Sequence, residues 1–199
     1  MMKKISLIIL AAIVALPAFQ SCKKGENDPA LSLRSRKARL CGEWVLKEGM
    51  ETIVKSNGDT EVNTYNGTTC TKESTGNPAV TRNYSIQVTF NKDNSFKKTR
   101  FDGNDQYIDE GIWYFGSRSK ELELKNKESV CFVTNLYTYS IDGNPTQQID
   151  MQGTNAISYP AVWLIDRLSS KELIILTDGV YSTGSGSMTT TGTMTYEKL

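Results

Sequence analysis

The sequence predicts an all-β, mainly antiparallel domain, and three observations carry that expectation. Residues 84–90 place Tyr84, Ile86, Val88 and Phe90 on one parity and Ser85, Gln87 and Thr89 on the other, the mark of a strand with one buried and one wet face. The polar turn Asn91-Lys92-Asp93-Asn94 sends the chain back through residues 96–101. After Asp102-Gly103-Asn104-Asp105 a third run, 107–115, sets Trp113 and Phe115 against Ile112 and Tyr114, which completes a meander. A second hairpin joins residues 161–168 to 172–177 across Ser169-Ser170-Lys171. Counted along the chain, about eight to ten strands and almost no helix are expected, far above the ordinary share of β-structure.

Taken in order, Lys3 and Lys4 precede the apolar run 5–16, and Ser21 stands before Cys22. This is a basic n-region, a short h-region and a small residue before a cleavage point. A dozen residues rise only about 18 Å as a helix, short of the roughly 30 Å hydrocarbon core, so cleavage is expected rather than a span. The junction resembles a bacterial lipoprotein signal, which implies an exported protein held at the outer membrane through acylated Cys22. Residues 1–21 are then a signal peptide, 22–39 a tether and 40–199 the folded domain. The basic run Arg34, Arg36, Lys37 and Arg39 reads as a solvated tether, with a short helix over 31–40 as an option.

From Gly42 a strand runs through residue 54. Asn57-Gly58 signals a hairpin in which both central residues take positive φ, and 60–65 is the return strand. Residues 66–82, with Gly67, Gly76 and Pro78 and little apolar content, are expected as a long loop. Beyond the meander, 120–127 alternates Leu122 and Leu124 with charged neighbours, and 129–141 is rich in Val, Phe, Thr and Tyr. Residues 142–160 and 178–187 read as irregular, and 188–198 as the closing strand. A body of about 160 residues can bury a substantial core, so one domain is expected.

Charge and cysteine usage exclude several classes. Removing residues 1–21 takes Lys3 and Lys4 and no acidic residue, turning a formal net charge of +1 into −1, so no nucleic-acid partner is expected. His is absent, which removes the commonest general base and, with widely spaced cysteines, makes zinc a poor fit. Cys41, Cys70 and Cys131 leave one thiol over if a bridge forms, and sequence does not give the pairing. A bridge between Cys70 and Cys131 would pin 66–82 to the wall of the fold.

Gly42-Glu43-Trp44 resembles the Gly-x-Trp signature of lipocalins. Together with Val88-Thr89-Phe90, Gly111-Ile112-Trp113, Trp163-Leu164-Ile165 and Leu173-Ile174-Ile175, it looks like the lipocalin-like lipoproteins common in Bacteroidetes, over about residues 38–198. The resemblance implies an antiparallel up-and-down β-barrel, closed or half-open, with Gly42 and Trp44 as structural residues and Trp44 packed across a closed base. A barrel of that size holds packed side chains or one small ligand.

Chemistry-bearing clusters are few. Asp102, Asp105, Asp109 and Glu110 surround a turn, but their spacing is not that of a calcium loop, and no metal or other cofactor is expected. Asp109 and Glu110 are adjacent and should face opposite sides of a strand, the wrong geometry for paired acid and base; no Gly-x-Ser-x-Gly elbow occurs, and no enzyme is predicted. Aromatic residues are the recurrent binding-capable groups. Tyr159 and Trp163 are expected at a mouth built by 66–82 and 142–160, with Trp113 and Tyr137 as further ligand contacts. Two functions stay open: an anchored protein binding a small apolar or glycan-like ligand, or a filled barrel acting in envelope structure or protein contact.

Overall fold

Strand β1, Gly42–Lys55, sets the frame because its two halves have different neighbours. The computed structural model describes residues 27–29, 34–118, 128–151, 161–183 and 186–199, by backbone alone at 180–183 and 186. The expected signal peptide, Cys22, the strand at 120–127 and Tyr159 lie outside the described residues. The remaining strands are β2 Thr60–Tyr65, β3 Thr69–Ser74, β4 Asn77–Phe90, β5 Ser95–Asp102, β6 Asp105–Phe115, β7 Ser129–Ser140, β8 Gln147–Asp150, β9 Ala161–Leu168, β10 Glu172–Thr183 and β11 Gly186–Lys198, preceded by helix α1, Arg36–Leu40.

All pairings are antiparallel and close a barrel. Near its start β1 pairs with β4, Gly42 opposite Phe90 and Val45 opposite Gln87. From there the ring runs through β5, β6, β7, β9, β10 and β11 back to β1. Farther along, β1 leaves β4 and takes β2 instead, Gly49 opposite Tyr65 and Val54 opposite Thr60, and β3 links β2 to β4. Two strands are thereby wedged in, and the wall widens from eight strands at the base to ten above. Likewise β7 pairs with β9 over Ser129 to Phe132 and with β8 over Leu136 to Tyr139. A barrel's width grows with strand number, so the fold is narrow at the base and wide at the top.

The turns follow from single residues. Lys55 N–H donates to the Asp59 carbonyl, Gly58 N–H to that of Lys55, and only Gly58, at φ 86°, is left-handed. This is a type I turn with a glycine bulge, not the mirror-image turn expected from Asn-Gly with both residues at positive φ. Asn91 to Ser95 repeats it with Asn94 at φ 72° in the glycine's place, a position asparagine tolerates. At Gly111 β6 crosses a bulge in β7 so closely that a Cβ would collide with the Val133 carbonyl oxygen, and glycine is the residue that admits this approach.

Three expected irregular stretches are strands. Residues 69–74 and 77–82 form the β3–β4 hairpin rather than a loop, 147–150 form β8, and β10 and β11 run through all but two residues of 178–187. Of the basic run expected as a solvated tether, Arg34 and Lys37 are exposed but Arg36 and Arg39 are not. Arg36 and Arg39 are 4% and 2% exposed, as is Asp28 at 4%, because α1 lies across the narrow end of the barrel. Asp28 accepts from the Leu168 backbone N–H at 2.8 Å and from Arg39 at 3.2 Å, with Arg36 at 3.7 Å. Arg39 donates in turn to the Leu168 carbonyl at 2.6 Å. The segment is a latch over the base, and the domain begins before residue 40. Leu40 is fully buried beneath it.

The pairing of Cys70 with Cys131 does not form. All three described cysteines are free: Cys70 stands on β3 at an inward position, buried beside Tyr65 and Arg82 in register. Cys131 lies on β7 between Tyr114 and Val162, both exposed on the outer face. The barrel wall separates them. Burial pushes each thiol's pKa up, which keeps them unreactive.

Candidate binding cup

Inward-facing side chains divide the barrel into two levels of different chemistry. At the narrow end lie Trp44, Leu46, Val88, Phe90, Phe96, Trp113, Val130, Phe132, Ile165, Leu168, Leu173, Ile175, Met194 and Tyr196, all at most 7% exposed. Their rings interlock: Phe90 meets Trp113 edge-on at 5.6 Å, Phe132 meets Phe96 at 5.0 Å and Trp163 at 4.9 Å, and Trp163 lies against Tyr196 at 5.1 Å. Such contacts add to the burial of large apolar surface. This level is a filled floor. Trp44 donates from Nε1 to the Leu40 carbonyl at 2.7 Å, and Lys198 Nζ stands 5.0 Å over its ring while donating to the Arg39 and Cys41 carbonyls at 2.7 and 2.5 Å.

Above the floor the same inward parity carries polar groups. Along β5, buried Phe96 is followed inward by Lys98, Arg100 and Asp102; on β6, Gly111 by Asp109 and Tyr107. A bulge in β7 lets Tyr137 and Tyr139 continue the inward face, opposite Asp109 and Tyr107. From β1, β2 and β4 come Glu51, Glu61, Asn63, Tyr65 and Tyr84. Several of these stay accessible although they point inward: the side chains of Lys98 and Asp109 are 31% and 18% exposed and those of Arg82 and Asp102 are 40% and 24%. Water therefore reaches this polar level, and among the described residues the upper barrel forms a cup.

Its charges are mostly paired. Lys98 reaches Asp109 at 2.8 Å and Lys72 reaches Glu61 at 2.7 Å; Arg82 pairs with Asp102. Burial works against the charged form of Glu61, but hydrogen bonds and charge from Lys72 outweigh it and hold its pKa below the ordinary value. Glu51 accepts from the Tyr65 hydroxyl at 2.7 Å and from Asn63 at 3.2 Å. The four acidic residues singled out near the 102–105 turn are spread over both faces: Asp102 and Asp109 take the inward partners just named, Glu110 pairs outward with Lys97 at 3.1 Å, and Asp105 accepts from Tyr107 and the Asp142 backbone.

Tyrosines line the rest. Tyr65 and Tyr84 have centroids 4.9 Å apart, and Tyr137 stacks on Tyr139 at 5.7 Å. Burial pushes the Tyr84 phenol up to about 12, with Arg100 opposing. Burial and then the hydrogen bond to Glu51 raise Tyr65 further. In the unfolded chain both phenols ionise near the ordinary value of about 10. Between the two values the folded protein keeps protons that the unfolded chain has lost, so rising pH favours unfolding. Urea midpoints should hold to about pH 10 and then fall toward pH 12, with a shallower fall in Tyr65→Phe. Equal slopes in the two proteins would show that Tyr65 is not protected.

Of the expected ligand contacts, the structure brings Trp113 and Trp163 together through Phe90 and Phe132, but in the floor rather than at a mouth. Trp113 is 2% exposed, and its Nε1 donates to the Asn91 carbonyl at the base turn. Half-buried Trp163 packs on the core. Of the described ones, Tyr137 alone stands in the cup. Tyr65, Tyr84 and Tyr107 are among the aromatic residues that read as binding-capable, but sequence reasoning does not place them at one site and misses Arg100 and Glu51; the available signal is the polar continuation of the Phe96 parity along β5. No family model, no curated protein and no solved structure matches the chain.

Proposed function

We propose that the protein is an envelope-anchored, lipocalin-like binding protein whose cup takes a small, polar, ring-bearing ligand of the glycan type. One observation carries the reading: inward side chains above a filled aromatic floor are tyrosines and charged groups, and water reaches Lys98 and Asp109 among them. Of the two ligand types left open by the sequence, an apolar molecule would strip water from Lys98, Asp109, Arg82 and Asp102 without replacing it, which is costly. A saccharide presents hydroxyls to those groups and apolar ring faces to the tyrosines.

Titration of labelled protein with a panel of oligosaccharides, followed by NMR, tests the binding. Shifts should map to Tyr65, Tyr84, Tyr107 and Tyr137, and Tyr137→Ala should weaken binding roughly three- to tenfold with Trp44 signals unchanged. Shifts confined to the outer wall would overturn the assignment. Anchoring is read separately, by intact mass of the mature protein, where acylation of Cys22 is expected. A second reading, protein contact, is favoured by an outer apolar strip in which Ile112, Tyr114 and Val162, 43 to 50% exposed, adjoin across β6, β7 and β9. Co-purification of an envelope protein lost in Tyr114→Lys would support it.

A further inference from the structure

We infer that the ligand carries an oxyanion, and that Arg100 is its anchor. The inference rests on the binding reading above and adds the chemical class: a saccharide bearing a carboxylate, such as a uronic acid, rather than a neutral one.

Arg100 differs from its neighbours in the cup. Lys72, Arg82 and Lys98 each hold a carboxylate, whereas Arg100 has no ion pair among the described residues. Its guanidinium lies instead 4.2 Å from the centroid of Tyr107. The Nε atom is buried without a hydrogen-bond partner. On β5 Arg100 stands directly opposite Tyr107 and Ile86, and its charge is felt by the phenols of Tyr84 and Tyr137 as well as Tyr107. A cation thus lies over one ring and within electrostatic reach of two more, with no ion-pair partner among the described residues.

Leaving a partly desolvated guanidinium without an acceptor is unfavourable, and stacking on one ring relieves only part of that. Contact with the Tyr107 ring at 4.2 Å also restrains the guanidinium and its fork of N–H donors, which a planar carboxylate or a sulfate can meet with two parallel hydrogen bonds. Rings on either side, the Tyr65–Tyr84 pair and the Tyr137–Tyr139 stack, offer faces for the sugar that carries the acid. A lysine's point charge would supply attraction without the fork.

Calorimetry on the full domain with three probes of equal length tests this: a neutral oligosaccharide, its uronic-acid counterpart and its sulfate ester. The uronic acid should bind at least tenfold more tightly than the neutral sugar in low salt, with the gap narrowing as salt is raised. Arg100→Met should bring the acid down to the neutral affinity, and Arg100→Lys should keep part of the preference; circular dichroism and urea midpoints confirm that both variants fold. Equal affinities for acid and neutral sugar, or an acid preference that survives Arg100→Met, would overturn the inference while leaving saccharide binding in place. A sulfate ester bound more tightly than the uronic acid would keep Arg100 as anchor and overturn the carboxylate. Absence of binding by all three would bring down the binding reading together with this one.

Discussion

Asp28→Ala should lower the stability of the domain by about 3–5 kcal/mol, the cost of removing one partner from a buried ionic cluster. Both oxygens of Asp28 are in use, one by the Leu168 backbone N–H and one by Arg39, with Arg36 alongside. Removing the carboxylate leaves two guanidinium groups at 4% and 2% exposure without the charge that balances them, Arg39 with the Leu168 carbonyl alone, and the Leu168 backbone donor without an acceptor. Burial already works against the charged form of Arg36, with Asp28 opposing it. The urea midpoint should therefore fall sharply, and trypsin should cut at Arg36 or Arg39, whose side chains are buried in the wild type. Asp28→Asn keeps an acceptor for Leu168 and should lie between the two. A loss under about 1 kcal/mol for Asp28→Ala, with no new cleavage, would mean that the segment rests on the base without holding it.

Trp44→Ala should cost a similar amount, about 3–5 kcal/mol, for a different reason. The indole is fully buried in the narrowest part of the barrel, where eight strands leave no room to collapse inward. Loss of Nε1 also deprives the Leu40 carbonyl of its donor, and Lys198 loses the ring beneath it. Trp44→Phe separates the terms: most of the ring volume returns, the hydrogen bond does not, and a loss nearer 1 kcal/mol remains with some further packing cost. Thermal or urea unfolding of the two variants checks both figures, and equal losses would place the whole effect in the hydrogen bond to Leu40.

How much was legible in the sequence follows the two levels of the interior. Tyr84 to Phe90 and Trp113 to Phe115 announced their strands because one face is apolar core and the other solvent. In β3 that contrast vanishes, since Lys72 faces a watery cup on one side and Val62 and Glu73 face the outside on the other. A period of two cannot be seen when both faces are wet, so this strand reads as a loop. The same blindness hid the site. Arg100 continues the parity of Phe96, but a charge on that parity is normally taken as the outer face. Arg36 and Arg39 read as solvated for the same reason, and the clue that they are not, Asp28, lies about ten residues earlier and is joined to them only by folding. Trp163 reads as a rim residue because aromatic residues serve walls and floors alike, and spacing does not say at which height.

The latch also decides which way the molecule stands. With Cys22 acylated as proposed, the chain from Cys22 to Asp28 can span at most about 20 Å when fully extended, and Asp28 is fastened under the narrow end. The protein would then be a goblet on a short stem, foot against the lipid headgroups and brim toward the aqueous compartment. Its contents would arrive from solution and leave to solution, never passing sideways out of the bilayer, and a neighbour in the same membrane could reach the outer wall far more readily than the brim.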